Sequence, residues 1–178
     1  DDYVKLRGVE AMLQVQQEWD GLVDLQLVAF AQEGIYHDDV TCDLLREGLR
    51  MGLPTLGGCP YMDADQKGHI DWFFETAAAF GVGLDFHADS SDDPAMLTCD
   101  YIADQAMAYG MQGQVTLGHL STLDMLEPAH RAEVIAKLHE AGVHAMSLPA
   151  TESHVKGRDD ARRTWRGVTR VGELCKAG

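Results

Sequence analysis

No apolar run in the sequence approaches the roughly 20 residues that a membrane-spanning helix needs. The chain opens Asp1-Asp2-Tyr3, with no basic segment followed by an apolar one, so no secretory signal is visible. Positive charge is in short supply: 14 Lys and Arg stand against 29 Asp and Glu, a formal net charge of −15. Such a balance repels phosphate backbones and anionic lipid, which argues against nucleic-acid and membrane partners. No Gly-x-Gly-x-x-Gly or Walker-type loop follows any apolar segment, which argues against a nucleotide-binding role. Cys42, Cys59, Cys99 and Cys175 are spaced too widely for a Cys-x-x-Cys zinc pair or a compact disulfide framework. They read as reduced, mostly buried thiols, consistent with a cytoplasmic protein. Linkers and low-complexity tracts are also missing, so the 178 residues, 46% of them apolar, read as a single domain with a sizeable core.

What is present is a regular alternation of patterns. Helical spacing over residues 4–19 is followed by a β-rich run at 23–30, a helix at 39–51 and a short strand at 54–60. A helix over 66–80, with Gly81 suited to its C-terminal cap, leads to a strand at 82–87. Pro94 reads as the start of a helix over 94–109, before a strand at 115–119 and a helix at 128–140. A strand at 143–148, a basic loop and a helix at 168–177 complete the chain. Five apolar strands separated by helices predict an α/β fold with a parallel sheet covered on both faces.

Polar residues gather at the C-terminal ends of these strands: Gln32 and Glu33, Asp63 and Asp65, His87 and Asp89, His119, then Glu152 and His154. A ring of this kind is how a (β/α)8 barrel builds its active site, whereas an open sheet concentrates ligand groups at one switch point. Eight strands are needed for closure and five are readable, so the chain is expected to be an incomplete barrel segment of about five βα units. The two open edges predict homo-oligomerisation or association with missing barrel segments.

The sharpest chemical candidate is Leu84-Asp85-Phe86-His87-Ala88-Asp89. Imidazole is a preferred zinc or iron ligand, and a carboxylate two residues on can orient a ligand or substrate or take a proton. His119 ends the next strand in the equivalent place. Two imidazoles on adjacent strands can converge on one ion or on its bound water.

The chain resembles the bacterial cytosine deaminases at several points. Val28-Ala29-Phe30-Ala31-Gln32-Glu33-Gly34-Ile35 is similar to their Val-Ala-Phe-Pro-Gln-Glu-Gly-Ile segment. Phe86-His87-Ala88-Asp89 matches Val-His-Cys-Asp, and Leu117-Gly118-His119-Leu120-Ser121 occupies the place of Ala-Ser-His-Thr-Thr. Ser153-His154-Val155-Lys156-Gly157-Arg158 and Arg166-Gly167-Val168-Thr169-Arg170-Val171 follow Ile-His-Leu-Gln-Gly-Arg and Arg-Gly-Ile-Thr-Arg-Val. The resemblance spans nearly the whole chain and points to the cytosine-deaminase-like branch of the metal-dependent amidohydrolases. It implies a single divalent metal, zinc or iron, that activates water to attack a small nitrogen heterocycle, such as a cytosine or an aminotriazine, and expel an amine. By match, His87 is a metal ligand, and His119 contacts the nucleophilic water or the tetrahedral centre. Gln32 then hydrogen-bonds the amide edge of the substrate, His154 lines the pocket, and Asp89 is a further catalytic candidate.

Three departures qualify the match. The glutamate that follows the family's His-Cys-Asp is Ser90 here, and a hydroxyl is a poor general acid near neutral pH. No His-x-His metal pair is present, and the family's ligating aspartate of the eighth strand has no counterpart before Gly178. The remaining metal ligands are therefore expected from outside this chain, which would span roughly barrel strands three to seven, with activity in the full-length parent. Two alternatives stay open: a non-catalytic α/β binding or assembly module that lacks the metal centre, and a cyclic-amide hydrolase using the same chemistry.

The remaining candidates read more plainly. His69, His130 and His139 are expected on solvated helix surfaces, and His37 beside Asp38 in a loop and helix cap. Trp72, Phe73 and Phe74 are expected to pack a helix inward. The basic stretch 156–170 around Trp165 is expected to form internal ion pairs.

Overall fold

The computed structural model describes residues 4–155 and 168–178, and the basic-loop residues Arg158, Arg162, Arg163, Trp165 and Arg166 lie outside them. The chain resolves into two compact units, residues 1–85 and 86–178. The first contains α1 (Arg7–Glu18), β1 (Val28–Ala31), α2 (Thr41–Arg50), β2 (Thr55–Gly58) and α3 (Gln66–Phe80). Strand β3 (Gly83–Ala88) carries the chain across the boundary. The second unit continues with α4 (Cys99–Ala108), β4 (Val115–His119), α5 (Pro128–Glu140), β5 (His144–Met146), α6 (Pro149–Val155) and α7 (Val171–Ala177). The strands follow the order β1-β2-β3-β4-β5 in one sheet, and β1 with β2 and β4 with β5 pair in parallel. This is the α/β architecture with a parallel sheet that the alternating pattern predicts, because each parallel pair needs a crossover that a helix supplies.

In the first unit every residue of β2 is buried, and Leu56, Ile70, Phe73, Phe74 and Ala77 are fully enclosed. The aromatic run of α3 does pack inward through Phe73 and Phe74, while Trp72 lies under the Arg46 guanidinium, 5.1 Å from its ring centre. Gly81 ends α3 in the left-handed conformation, as its type permits. The Asp65 side chain caps the start of α3 by accepting from the Gly68 N–H at 2.9 Å. Asp38 does the same for α2, accepting from the N–H of Val40 and of Thr41, and the His37 ring sits 2.9 Å from it.

His69 is not on a solvated surface. It is fully buried in α3, stacked on Phe73 with ring centres 4.5 Å apart, and its Nδ1 lies 2.6 Å from the buried Asp63 carboxylate. Asp63 also accepts the backbone N–H groups of Ile35 and Tyr36, so one carboxylate ties the turn after β1 to α3. Gly34, at φ 87°, leaves the space: a Cβ there would come within 2.5 Å of Asp63 Oδ1.

Two further expectations are revised. The apolar run at 23–30 becomes a strand only from Val28, because Leu22 and Val23 are exposed and gain nothing from extending the sheet. The helix expected from Pro94 splits into a 3-10 turn at Pro94–Met96 and α4 from Cys99.

Burial holds the His69 imidazole below its ordinary pKa, with the Asp63 carboxylate opposing. The unfolded chain, titrating near about 6.5, therefore takes up this proton more readily than the native state. Denaturant midpoints should fall as pH drops below about 6.5, and His69→Gln should flatten that slope. Gly34→Ala should cost about 3 kcal/mol in urea unfolding, from left-handed strain plus the clash with Asp63, against a negligible cost for Gly8→Ala in α1.

Candidate active site

Alternation along β3 buries Leu84, Phe86 and Ala88 and leaves His87, on the opposite face, half-buried. His119 closes β4 and is 7% exposed. The structure brings the two rings together edge to face, with centres 5.1 Å apart and an interplanar angle of 76°. The backbone at this point is unusual. His119 (φ 74°) and Leu120 (φ 53°) are successive non-glycine residues in the left-handed region, which turns the chain sharply out of β4 into a 3-10 turn over Ser121–Met125. Such strain persists only where the surroundings fix it.

Here the fixing contacts are specific. The Leu120 N–H donates to Ala88 O at 3.2 Å, the Ser121 hydroxyl donates to Asp89 O at 3.2 Å, and the Thr122 N–H donates to Asp89 O at 2.9 Å. The Thr122 hydroxyl also donates to Ser91 O at 2.8 Å and accepts from the Ser91 N–H at 3.1 Å. The ends of β3 and β4 are thereby sewn to each other. The His119 carbonyl accepts the Thr169 hydroxyl at 2.6 Å, and its ring Nδ1 lies 2.5 Å from Oε1 of Glu152, a side chain 1% exposed on α6. His119 is thus held at both its ring and its backbone.

The Asp89 carboxylate is engaged by the start of α4. The residue is 2% exposed, and its carboxylate accepts from the Thr98 N–H (2.7 Å), the Thr98 hydroxyl (2.8 Å) and the Cys99 N–H (3.0 Å). These bonds start α4 at Cys99, and they explain why no helix runs through from Pro94. Burial pushes the Asp89 carboxyl above the usual carboxylate range while the same hydrogen bonds oppose the shift.

Among the other expected residues, Gln32 stands exposed just beyond β1 with its Nε2 3.7 Å from Cys59 Sγ. It lines a cavity of about 700 Å³ in the first unit, beside Phe30, Glu33 and His37. His154 is exposed on α6, two residues beyond the buried Glu152. Glu152 is the residue that sequence reasoning leaves without a role. Its signal is its place among the polar residues that follow the strands, but the short helix that turns it inward has no readable pattern.

Among the described residues no three His, Cys, Asp or Glu side chains converge as a metal-holding group. His87 and His119 offer two imidazoles where a catalytic zinc takes three protein ligands and a water. The described residues therefore do not by themselves make up a catalytic metal site.

The signature of the Amidohydrolase family matches residues 44–178. The chain is 31% identical over 170 residues to pterin deaminase of Rhizobium rhizogenes (strain K84 / ATCC BAA-868), covering 95% of this chain and 39% of that protein. It is also 31% identical over 121 residues to N-isopropylammelide isopropyl amidohydrolase of Pseudomonas sp. (strain ADP), covering 67% of this chain and 30% of that one. Among solved structures, 5-methylcytosine deaminase from Klebsiella pneumoniae liganded with phosphonocytosine superposes with a TM-score of 0.91 at 33% identity, over 97% of this chain and 43% of that one. The chain thus spans less than half the length of each of these relatives.

The Asp89 cap is open to a stability test. Asp89→Ala leaves two buried N–H groups without an acceptor and should lower unfolding free energy by about 3 kcal/mol. Thr98→Ala removes one hydroxyl donor and should cost about 1 kcal/mol, both read from urea denaturation.

Proposed function

The chain belongs to the Amidohydrolase family, and on that premise we propose that it forms about five βα units of a (β/α)8 barrel in a hydrolase of C–N bonds. The proposed reaction is removal of an amine from a small nitrogen heterocycle of the pterin, cytosine or aminotriazine kind. The observation that carries this reading is the His87–His119 pair, two imidazoles edge to face at the ends of consecutive strands, the second clamped by Glu152 and Thr169.

In this reading His87 would be one ligand of the family's divalent metal, zinc or iron, which would activate water, and the remaining ligands would come from outside the described residues. His119 holds or moves a proton at its Nε2, the nitrogen that Glu152 leaves available. Gln32 hydrogen-bonds the amide edge of the heterocycle, and its exposed position on the wall of the first unit's cavity supports a contact with ligand. Asp89, the further catalytic candidate, braces the loop after β3 through its bonds to Thr98 and Cys99. His154, exposed on α6, serves at the rim. Four cysteines outside any disulfide support a cytoplasmic setting. No helix among the described residues is long and apolar enough to cross a membrane. The exposed outer strand β5 supports pairing with further barrel strands or with a second copy of the chain.

The test uses the full polypeptide loaded with zinc or iron and follows amine release from pterin, 5-methylcytosine, cytosine and an aminotriazine. Turnover of at least one is expected, and His119→Asn should lower kcat about 10²–10⁴-fold. Amine release from none of them, or an unimpaired His119→Asn enzyme, overturns the reading; ring opening without amine release would assign cyclic-amide hydrolysis instead.

A further inference from the structure

We infer that Glu152 is a positioning residue that sets which ring nitrogen of His119 carries the proton. The inference rests on the reading of His119 as the proton-handling group. Two contacts orient His119. The Thr169 hydroxyl holds its carbonyl at 2.6 Å, which fixes the main chain but leaves the ring free to rotate. Glu152 Oε1 at 2.5 Å from Nδ1 fixes the ring itself. With the carboxylate ionised and the ring neutral, Nδ1 is the donor at this contact and Nε2 keeps its lone pair. Neutral histidine in water favours no such arrangement strongly enough to guarantee it; the partner of one nitrogen decides the state of the other.

The geometry around the pair makes this assignment one-directional. Glu152 is 1% exposed on a short helix, so it has little freedom to swing away. The ring it holds belongs to a residue whose backbone is locked in the left-handed region by neighbours on β3 and by Thr169. The neutral ring of His119 therefore presents an unprotonated Nε2 in a fixed direction. A group that must accept a proton in its first act is delivered in the accepting form, without waiting for a tautomer exchange. An aliphatic side chain at position 152 would remove the acceptor and with it this selection, whereas an amide oxygen would keep it.

The experiment reads the tautomer directly. The intact protein, labelled with 15N-histidine, is recorded in a two-bond 1H–15N correlation spectrum at a pH where the ring is neutral, with His119→Gln used to assign the signal. The expected result is a pyrrole-type Nδ1 and a pyridine-type Nε2 for His119. Glu152→Gln, whose amide oxygen still accepts, should keep that pattern, and Glu152→Ala should shift the population toward Nε2–H. If Glu152→Ala does not fold, Glu152→Met, of similar length and without an oxygen acceptor, carries the same test. A wild-type signal with Nε2 protonated, or an unchanged pattern when the acceptor is removed, overturns the inference. In the metal-loaded full polypeptide Glu152→Ala should lower kcat about 10–100-fold with KM little changed. Absence of turnover in the wild-type enzyme would sink the functional reading while leaving the tautomer assignment standing.

Discussion

Two successive residues with side chains, His119 and Leu120, sit where glycine would ordinarily be found, and the rest of the site depends on that turn. A chain leaving β4 along its natural course would carry residue 119 on past the strand. The left-handed pair bends it back toward the end of β3, which is why the His119 ring meets His87 edge to face. Each strained residue costs on the order of 1–3 kcal/mol. That cost is offset by hydrogen bonds to Ala88, Asp89 and Thr169 and by full burial of Leu120. The site is thus an outcome of the backbone first and of side-chain chemistry second.

Buried carboxylates recur as the fasteners. Asp63 joins the turn after β1 to α3, Asp89 joins the end of β3 to the start of α4, and Glu152 joins α6 to the end of β4. Each is nearly inaccessible to water, so each must be matched by donors to be tolerated there. Two of the three meet a histidine ring and the third meets backbone N–H groups. Strand ends in a parallel sheet expose unpaired backbone, and a carboxylate is the side chain able to gather several such donors at once.

How much of this is readable in the sequence depends on range. Period-2 and period-3.6 patterns place β4, α3 and α5 at their observed limits, because burial on one face is written directly into the order of residues. The cap at Gly81 is local chemistry and equally legible. The helix expected from Pro94 does not form because Asp89, nine residues before Thr98, captures the N–H groups at 98 and 99, a contact no local pattern announces. His69 misleads for the same reason: one polar residue on a helix reads as solvated until its buried partner, here Asp63, is known. His87 and His119 are legible because their place at consecutive strand ends is itself a pattern. Glu152 is visible but carries no evident task, since the short helix that turns it inward is not encoded by amphipathic spacing.

Asp89 gripping Thr98 and Cys99 closes the chain between them into a staple whose two feet stand next to each other. What lies between, from Asp92 to Leu97, hangs from anchored ends and adds little to the core. A change of length or sequence within this bight would leave in place the bonds that start α4, and with them the stretch of chain next to His87.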